Sequence, residues 1–319
     1  MIRGALIAIG GTCAFGERRG VAVRLEDDGG HVGWGEASPL PCYSPDCLSD
    51  CAGALSRVLS RPLPESPDEL DAAIAGISAA LPAARFALES ALLGLYARQR
   101  GIRLADLLGE PAGWRRPHSR QRVRRTALLP ADLGEKLAAG VRSFKLKVGR
   151  PGLFCEELAR LAELRRRLPK DAAIRVDANA AWDADTARKN IDAMRRFDLE
   201  LVEQPTPTAE LSGLGPTAVP LALDESVRDE LSDAILSSVS VFVLKPAVLG
   251  GLRRCVDIAR NARARGIDSI VSHLLDGPIA LSACIELALA IGGPRAHGLD
   301  FHSTLPAFCS APNPAKTTR

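Results

Sequence analysis

The pattern of apolar and polar positions divides the chain into two regions of different texture. In the first region the short runs LIAI, GVAVRLED and HVGWGEA, with a DDGG turn before the last, predict an antiparallel meander. Apolar residues then recur at helical spacing from Pro82 to Arg100 and stop at Gly101, which predicts an amphipathic helix. We therefore expect the first hundred residues or so to form a small α+β domain.

Beyond the basic stretch GWRRPHSRQRVRR, short aliphatic runs alternate with helix-length segments. Eight runs are typical of strands: TALL, SFKLKV, AIRVDA, LELVEQ, PLALDE, VFVLKP, SIVSHL and AHGLD. Eight βα units predict an α/β fold with a modified (β/α)8-type TIM barrel, and an incomplete or distorted barrel is the alternative. The predicted division is an N-terminal α+β domain at 1–105, a barrel at 106–300, and a tail at 301–319 that packs on the first domain or frays.

The amino-acid composition limits the kinds of molecule that the protein is expected to bind. The chain has 319 residues, 46% of them hydrophobic, and a net charge of only +3, which fits a globular protein and not a nucleic-acid-binding surface. No run of apolar residues is long enough to predict a membrane span. The opening MIRGALIAIGGTCAFG weakly resembles an export signal, but the pattern that follows favours an ordinary strand. We expect a small molecule as partner; the sequence does not indicate an oligomeric state.

The eight cysteines are scattered and form no CxxC pair, which predicts a reduced, cytoplasmic protein. The one cluster, Cys42, Cys47 and Cys51, would hold zinc only with a fourth ligand that the sequence does not offer nearby. Buried or incidental thiols are the preferred interpretation.

Ionisable side chains recur at the C-terminal ends of five successive predicted strands: Lys145 and Lys147, Asp177, Glu203, Asp224, and Lys245. Parallel barrels bring those strand ends together, so we expect these groups to meet, with Lys145 and Lys147 on the same face of their strand. Three neighbouring carboxylates repel one another, and oxygen ligands suit Mg²⁺, with Mn²⁺ as the alternative ion. Salt bridges between these acids and the lysines are the competing explanation.

Beside such an ion, the lysines can have a catalytic role. A carboxylate substrate held on Mg²⁺ can lose the proton on its neighbouring carbon, because the ion stabilises the charge that develops. A lysine amine can be the base if a second lysine and the ion lower its pKa. This pattern therefore predicts proton abstraction next to a carboxylate.

At these residues the sequence resembles the enolase superfamily, its muconate lactonizing subgroup and, within that, the o-succinylbenzoate synthase family of menaquinone biosynthesis. GWGEASPLPCYS resembles the capping-domain loop of that family, and RFALESALLGLYARQRG followed by LADLLG resembles its domain-joining helix. KLK, DAN, EQP, DES and LKP follow in family order. The resemblance implies that the N-terminal α+β domain is a capping domain.

The resemblance also implies the role of each residue. The metal ligands would be Asp177, Glu203 and Asp224. Lys147 would remove the α-proton and then protonate the departing β-hydroxyl on the same face, a syn dehydration that leaves an aromatic ring. Lys145 would support the base electrostatically, and Lys245 would stabilise the anion from the opposite side.

The remaining candidate site residues are supported by weaker signals in the sequence. Asn179 should point the same way as Asp177 and contact metal or substrate, with a structural turn as the alternative. Ser272 and Gly298 are substrate-binding candidates on resemblance alone. Glu225 is expected to orient a neighbour. His273 could form the His–Asp dyad of mandelate racemases, but a rim histidine with satisfied hydrogen bonds is preferred because Lys245 already fills the opposing position.

Two other functions stay open. A racemase of N-acylated amino acids or a dipeptide epimerase would use Lys147 and Lys245 as bases on opposite faces. The segment GLDFH lacks the Asp-x-Asp of dipeptide epimerases, since Gly298, Asp300 and His302 stand there, which disfavours that activity. A non-catalytic barrel is disfavoured because every expected catalytic residue is present.

Overall fold

The computed structural model describes residues 1–13, 16–117, 121–302 and 305–308. The strands are β1 (Ile2–Cys13), β2 (Gly16–Asp27), β3 (Val32–Ala37), β4 (Thr126–Leu128), β5 (Ser143–Lys147), β6 (Ala173–Asp177), β7 (Leu199–Glu203), β8 (Leu221–Leu223), β9 (Val239–Leu244) and β10 (Asp268–Val271). The α-helices are α1 (Leu48–Leu59), α2 (Leu70–Ala75), α3 (Pro82–Gln99), α4 (Leu104–Gly109), α5 (Leu133–Ala138), α6 (Phe154–Arg167), α7 (Ala184–Met194), α8 (Leu211–Leu214), α9 (Asp233–Leu236), α10 (Pro246–Leu249), α11 (Leu252–Ala264) and α12 (Pro278–Ile291).

The N-terminal strands form the predicted antiparallel sheet in the order β1-β2-β3. Its third strand lies directly on α3. A Cβ atom at Gly33 would fall 1.9 Å from the carbonyl oxygen of Ala91, and one at Gly35 would fall 1.7 Å from that of Ala87. The two glycines of GWGEA therefore let sheet and helix backbones approach closely.

Helix α3 lies where the sequence predicts a helix, but the expectation of an amphipathic helix is wrong. All of its residues from Pro82 to Ala97 are buried except Arg85. The helix packs against β3 on one side and against α10, α11 and α12 on others. A helix enclosed in this way must be apolar or small all round, which its alanines and leucines provide.

The second sheet is parallel, has seven strands, and runs in the order β10-β9-β8-β7-β6-β5-β4. It confirms seven of the eight predicted strands. The eighth, AHGLD, is not a strand: single bridges join His297 to Arg125 and Gly298 to Ser272, at the two edges of the curled sheet. One cause is that Arg175 Nη1 donates to the Ala296 carbonyl at 2.8 Å, so a side chain takes an acceptor that a strand neighbour would use.

The interior of the curled sheet carries a separate group of buried apolar side chains: Leu201, Ala222, Val241, Val243 and Ile270. Residues two positions further along a strand point to the same face. Glu203, Asp224 and Lys245 follow Leu201, Ala222 and Val243 at this spacing. The apolar interior thus ends in a layer of ionisable groups at the C-terminal edge of the sheet.

The predicted boundary at residue 105 falls inside α4, which contacts both α3 and α12. Of the predicted tail, Phe308 is buried among Ile9, Ala22, Trp34 and Ile279, whereas residues 309–319 lie outside the described part of the chain. Within the described residues, no helix combines the length and hydropathy needed to cross a bilayer.

Candidate active site

Five neighbouring strands bring the predicted catalytic groups together. Lys147 pairs with Asp177 and Asp177 with Glu203 in the strand register, so the three stand in one row across β5, β6 and β7. Asp224 directly follows β8 and Lys245 directly follows β9. Three acids on consecutive strands are therefore flanked by lysines on both sides.

The lysines of β5 bond the first two acids. Lys145 Nζ donates to Asp177 Oδ2 and to Glu203 Oε1, both at 2.9 Å. Lys147 Nζ donates to Asp177 Oδ2 at 2.6 Å and to Asn179 Oδ1 at 2.5 Å. The side chain of Lys147 is 44% exposed and that of Lys145 only 16%. Lys147 is thus the more accessible of the pair.

On the far side Lys245 Nζ donates to Asp224 Oδ2 and, at 2.7 Å, to the hydroxyl oxygen of Tyr43. The ammonium also lies 4.7 Å from the centre of the Tyr43 ring. Sequence reasoning missed Tyr43, although it belongs to the quoted GWGEASPLPCYS segment. An aromatic residue in a loop after a strand was the available signal, but nothing in the sequence indicates its partner.

Gln204 is a second residue that sequence reasoning missed, although it is the middle residue of the EQP motif. It is fully buried and has a φ of 37°, in the left-handed region. Its Oε1 accepts from the Asp224 and Ser226 amides at 2.9 and 3.2 Å, and its Nε2 donates to Ser226 Oγ at 2.6 Å. These bonds hold the turn that carries Asp224.

Taken together, burial and the neighbouring charges raise the pKa values of four groups in this cluster. Burial lowers the pKa of Lys145, but the negative charges of Asp177 and Glu203 outweigh it and hold the pKa above its usual range. The same balance, chiefly with Asp224, raises the pKa of Lys245. Burial and the charge of Asp177 raise the pKa of Glu203. Burial and Asp224 also raise the pKa of Tyr43 to about 12, so its phenol keeps its proton.

The three carboxylates form the donor set for the predicted divalent ion. Among the described residues, no three His, Cys, Asp or Glu side chains converge as a ready-made metal cluster. The carboxylates of Asp177, Glu203 and Asp224 are instead turned to ammonium groups. Their chemistry fits the ion: all donors are oxygens, they come from consecutive strands, and one nitrogen contacts both Asp177 and Glu203.

The remaining predicted residues are placed as follows. Asn179, at φ 45°, donates from Nδ2 to Glu225 Oε1 at 3.2 Å and accepts from Lys147, so it joins the cluster and Glu225 orients it. Ser272 Oγ donates to the Gly298 carbonyl at 3.3 Å. Within the described residues, no hydrogen bond links Ser272 or Gly298 to the lysine–carboxylate cluster.

His273 is half-buried and stacks on His302, with ring centres 4.6 Å apart. Its Nδ1 accepts from the Leu275 amide at 3.0 Å. Burial and the nearby His302 lower the pKa of His273 to about 3, so the ring is neutral. It supports the loop after β10 in the way expected of a rim histidine with satisfied hydrogen bonds.

Asp300, in the GLDFH segment, forms an ion pair with Lys136 of α5 at 2.5 Å. Both side chains are largely buried, at 13% and 20% exposure. The charge of this carboxylate is therefore neutralised inside the protein.

Comparison with known proteins shows the family to which the chain belongs. A family model described as enolase C-terminal domain-like matches residues 129–310. Muconate cycloisomerase 1 of Rhodococcus opacus is 30% identical over 309 residues, which cover 89% of this chain and 78% of that protein. The chain belongs to the enolase superfamily. Like its relatives, this superfamily member falls in the muconate lactonizing subgroup.

Relatives within the superfamily differ in activity. The o-succinylbenzoate synthase of Yersinia enterocolitica is 29% identical over 304 residues, which cover 92% of this chain and 85% of that protein. The structure of the dipeptide epimerase from Methylococcus capsulatus, complexed with Mg and the dipeptide L-Arg-D-Lys, has a TM-score of 0.75 and 26% identity and covers 94% of this chain and 90% of its own. Similar identities to different enzymes do not select one activity.

Proposed function

We propose that the protein is a Mg²⁺-dependent o-succinylbenzoate synthase, which dehydrates the cyclohexadiene carboxylate precursor (SHCHC) to 2-succinylbenzoate. The observation that carries the proposal is the order of groups across the sheet: lysines on β5 and after β9 flank three carboxylates on β6, β7 and after β8. Asp177, Glu203 and Asp224 would hold Mg²⁺, or Mn²⁺ in its place. When bound, the ion would neutralise charge that develops on the substrate carboxylate.

The chain's own residues would then carry out the proton transfers. Lys147 Nζ, as the neutral amine, takes the proton from the carbon next to the carboxylate. The electron pair of that C–H bond first stays on the substrate as an anion. It then forms the new C=C bond as the β C–O bond breaks, and the Lys147 ammonium gives the proton to the leaving oxygen, which departs as water. Lys245, on the opposite side, would stabilise the anion, and Lys145 would keep the field around Lys147 positive.

Two features favour dehydration over dipeptide epimerisation. Asp300 is the one carboxylate of the GLDFH segment, and its ion pair with Lys136 leaves it no free charge for a substrate ammonium. The elimination also needs only one base, and Lys147 is the most exposed of the three lysines, with Lys245 only 10% exposed. The substrate class is accordingly a small carboxylate without an ammonium group.

A second candidate is racemisation of N-acylated amino acids, or epimerisation of dipeptides. The opposed lysines favour it, because inversion at carbon needs a base on each face.

Substrate contacts from Asn179, Ser272 and Gly298 stay predictions under either function, as does a cytoplasmic location. The proposal also includes closure of the curled seven-stranded sheet into a barrel through the AHGLD segment, which the bridges at His297 and Gly298 support.

The two functions separate in one experiment. Purified protein with Mg²⁺ receives SHCHC in one arm, read by the absorbance change as the aromatic ring forms. In the other arm it receives N-succinylamino acids and dipeptides in D₂O, read by deuterium at the α-carbon. We expect turnover in the first arm that EDTA abolishes; no turnover of SHCHC by metal-loaded protein would overturn the proposal.

The variant Lys245→Ala further distinguishes dehydration from racemisation. Dehydration by this variant should be slowed but measurable, because the base is intact. Two-base racemisation should be lost. A variant that loses deuterium exchange and dehydration equally would show that Lys245 does more than stabilise the anion.

A further inference from the structure

The capping domain contributes a side chain to the reaction centre. Tyr43 lies in the loop between β3 and α1, 202 residues before Lys245 in the chain. Its hydroxyl accepts a hydrogen bond from Lys245 at 2.7 Å and is 3.5 Å from Asp224 Oδ2, to which it can donate. Its ring faces the same ammonium, 4.7 Å from the ring centre. The phenol therefore contacts both the lysine and the acid.

The loop that carries Tyr43 is anchored at both ends. At the start, the buried Arg18 donates to the carbonyls of Ser38 and Pro39, at 3.0 and 3.2 Å. At the end, Asp46 accepts from the Ala83 amide at 2.8 Å, at the beginning of α3. Such fixed ends hold a side chain at a defined position far better than a free loop does.

The tip of the loop is shaped as well. The Tyr43 and Ser44 amides donate to the Leu40 carbonyl at 3.1 and 2.9 Å, which closes a turn. Cys42 has a φ of 65°, in the left-handed region that non-glycine residues rarely adopt. A cavity of about 10 Å³ is lined by Tyr43, Asp224, Lys245 and five neighbouring residues.

A divalent ion would compete with Lys245 for the charge of Asp224. If the carboxylate turns to a divalent ion, as the proposed function requires, Lys245 loses its charged partner. The Tyr43 hydroxyl is then the neighbour that still accepts from the ammonium, and the ring still faces the positive charge. A side chain with four rotatable bonds would otherwise leave its position.

We propose that Tyr43 is a positioning residue that holds Lys245 over the reaction site when Asp224 engages the metal, so that the capping domain completes the catalytic machinery. The inference rests on the proposed role of Asp224 and Lys245. It extends that role by assigning the orientation of Lys245 to a residue outside the parallel sheet.

Tyr43→Phe tests the proposal because it removes the hydroxyl and keeps the ring. We expect kcat for SHCHC to fall about 10- to 100-fold, as for loss of a hydrogen bond to a charged group, with KM changed less than about twofold. The matched control is Tyr96→Phe, since Tyr96 donates a hydroxyl hydrogen bond at 2.8 Å to the Pro64 carbonyl inside the capping domain. The control should lose stability and keep kcat. A Tyr43→Phe enzyme with unchanged kcat would overturn the proposal.

Crystals of wild type and Tyr43→Phe grown with Mg²⁺ separate this proposal from the proposed function. We expect Lys245 to point at the Tyr43 oxygen in wild type and to move away in the variant. An unmoved Lys245 would contradict the positioning role whatever the substrate. If wild type fails to turn over SHCHC, the proposed function fails and the crystals alone decide on Tyr43.

Discussion

Two sets of buried carboxylates, in two regions of this molecule, are hydrogen-bonded by different kinds of donor. At the C-terminal edge of the parallel sheet, Asp177, Glu203 and Asp224 face lysine ammonium groups. Between the N-terminal domain and the helices that follow the parallel strands, Glu36 and Glu89 face backbone N–H groups at the beginnings of α12 and α11.

This difference in hydrogen-bond donors distinguishes the candidate active site from a structural contact. Backbone donors at a helix N-terminus are fixed, so Glu36 and Glu89 are bound as permanently as the helices themselves. Lysine side chains can rotate away, so their carboxylates remain available to a cation that competes for them. We infer that the first set serves chemistry and the second joins the two domains.

The largest effect is expected from Lys147→Ala, which acts on the first region alone. Removal of the base should lower kcat by about 10²- to 10⁴-fold while the fold is kept, because the side chain is 44% exposed and packs little. Steady-state kinetics with SHCHC measure the loss. Lys170→Ala, at an exposed position, is the matched control and should be fully active. Activity of Lys147→Ala equal to wild type would remove Lys147 from its assigned role.

A pair of variants compares the regions directly. Glu203→Gln removes a proposed metal ligand, so saturating Mg²⁺ should no longer raise Tm as it does in wild type, where a ligand at about 100 times its Kd adds about 2.7 kcal/mol. Glu36→Gln leaves an amide of Gly277 or Ala280 unpaired, which should lower the unfolding free energy by about 1–3 kcal/mol and leave the Mg²⁺ response intact.

Differential scanning fluorimetry and urea unfolding measure both quantities, and Glu230→Gln, at an exposed position, controls for the change of charge. The distinction between the regions fails if Glu203→Gln keeps the Mg²⁺ response or if Glu36→Gln loses it.

The smallest effect is a pH dependence in the second region. Burial raises the pKa of Glu89 from 4.5 to about 7. Between those values the folded chain binds more protons than the unfolded chain, so this group's contribution to stability falls as pH rises. The stability of wild type relative to Glu89→Gln should therefore decrease by about 1–3 kcal/mol from about pH 5 to about pH 8. Urea unfolding at each pH measures it; a constant difference would show that Glu89 does not titrate there.

Much of this arrangement could be predicted from local pattern. Seven strands and the ends that carry Lys147, Asp177 and Glu203 follow from the alternation of side chains and from the convergence of parallel strands. The burial of α3 on all sides could not be predicted, because alanine is compatible with both exposed and buried positions. The bond from Arg175 to the Ala296 carbonyl, 121 residues later in the chain, could not be predicted from local pattern either.

Contacts between segments that are far apart in the chain could not be predicted from the sequence either. Tyr43 and Lys245 are 202 residues apart, and only the docking of the capping domain brings them together. Gln204 could be recognised as part of EQP, but its bonds to the Asp224 turn depend on a left-handed backbone at a non-glycine residue. Period and propensity do not report such local conformations.

The most direct test of the central claim is the anomalous difference density of crystals soaked in Mn²⁺. The account predicts one strong peak in contact with oxygens of Asp177, Glu203 and Asp224, with the ammonium groups of Lys145 and Lys245 turned away from the ion. A site without a peak, in crystals where those lysines still bond the three carboxylates, would contradict it and leave the cluster as a set of structural salt bridges.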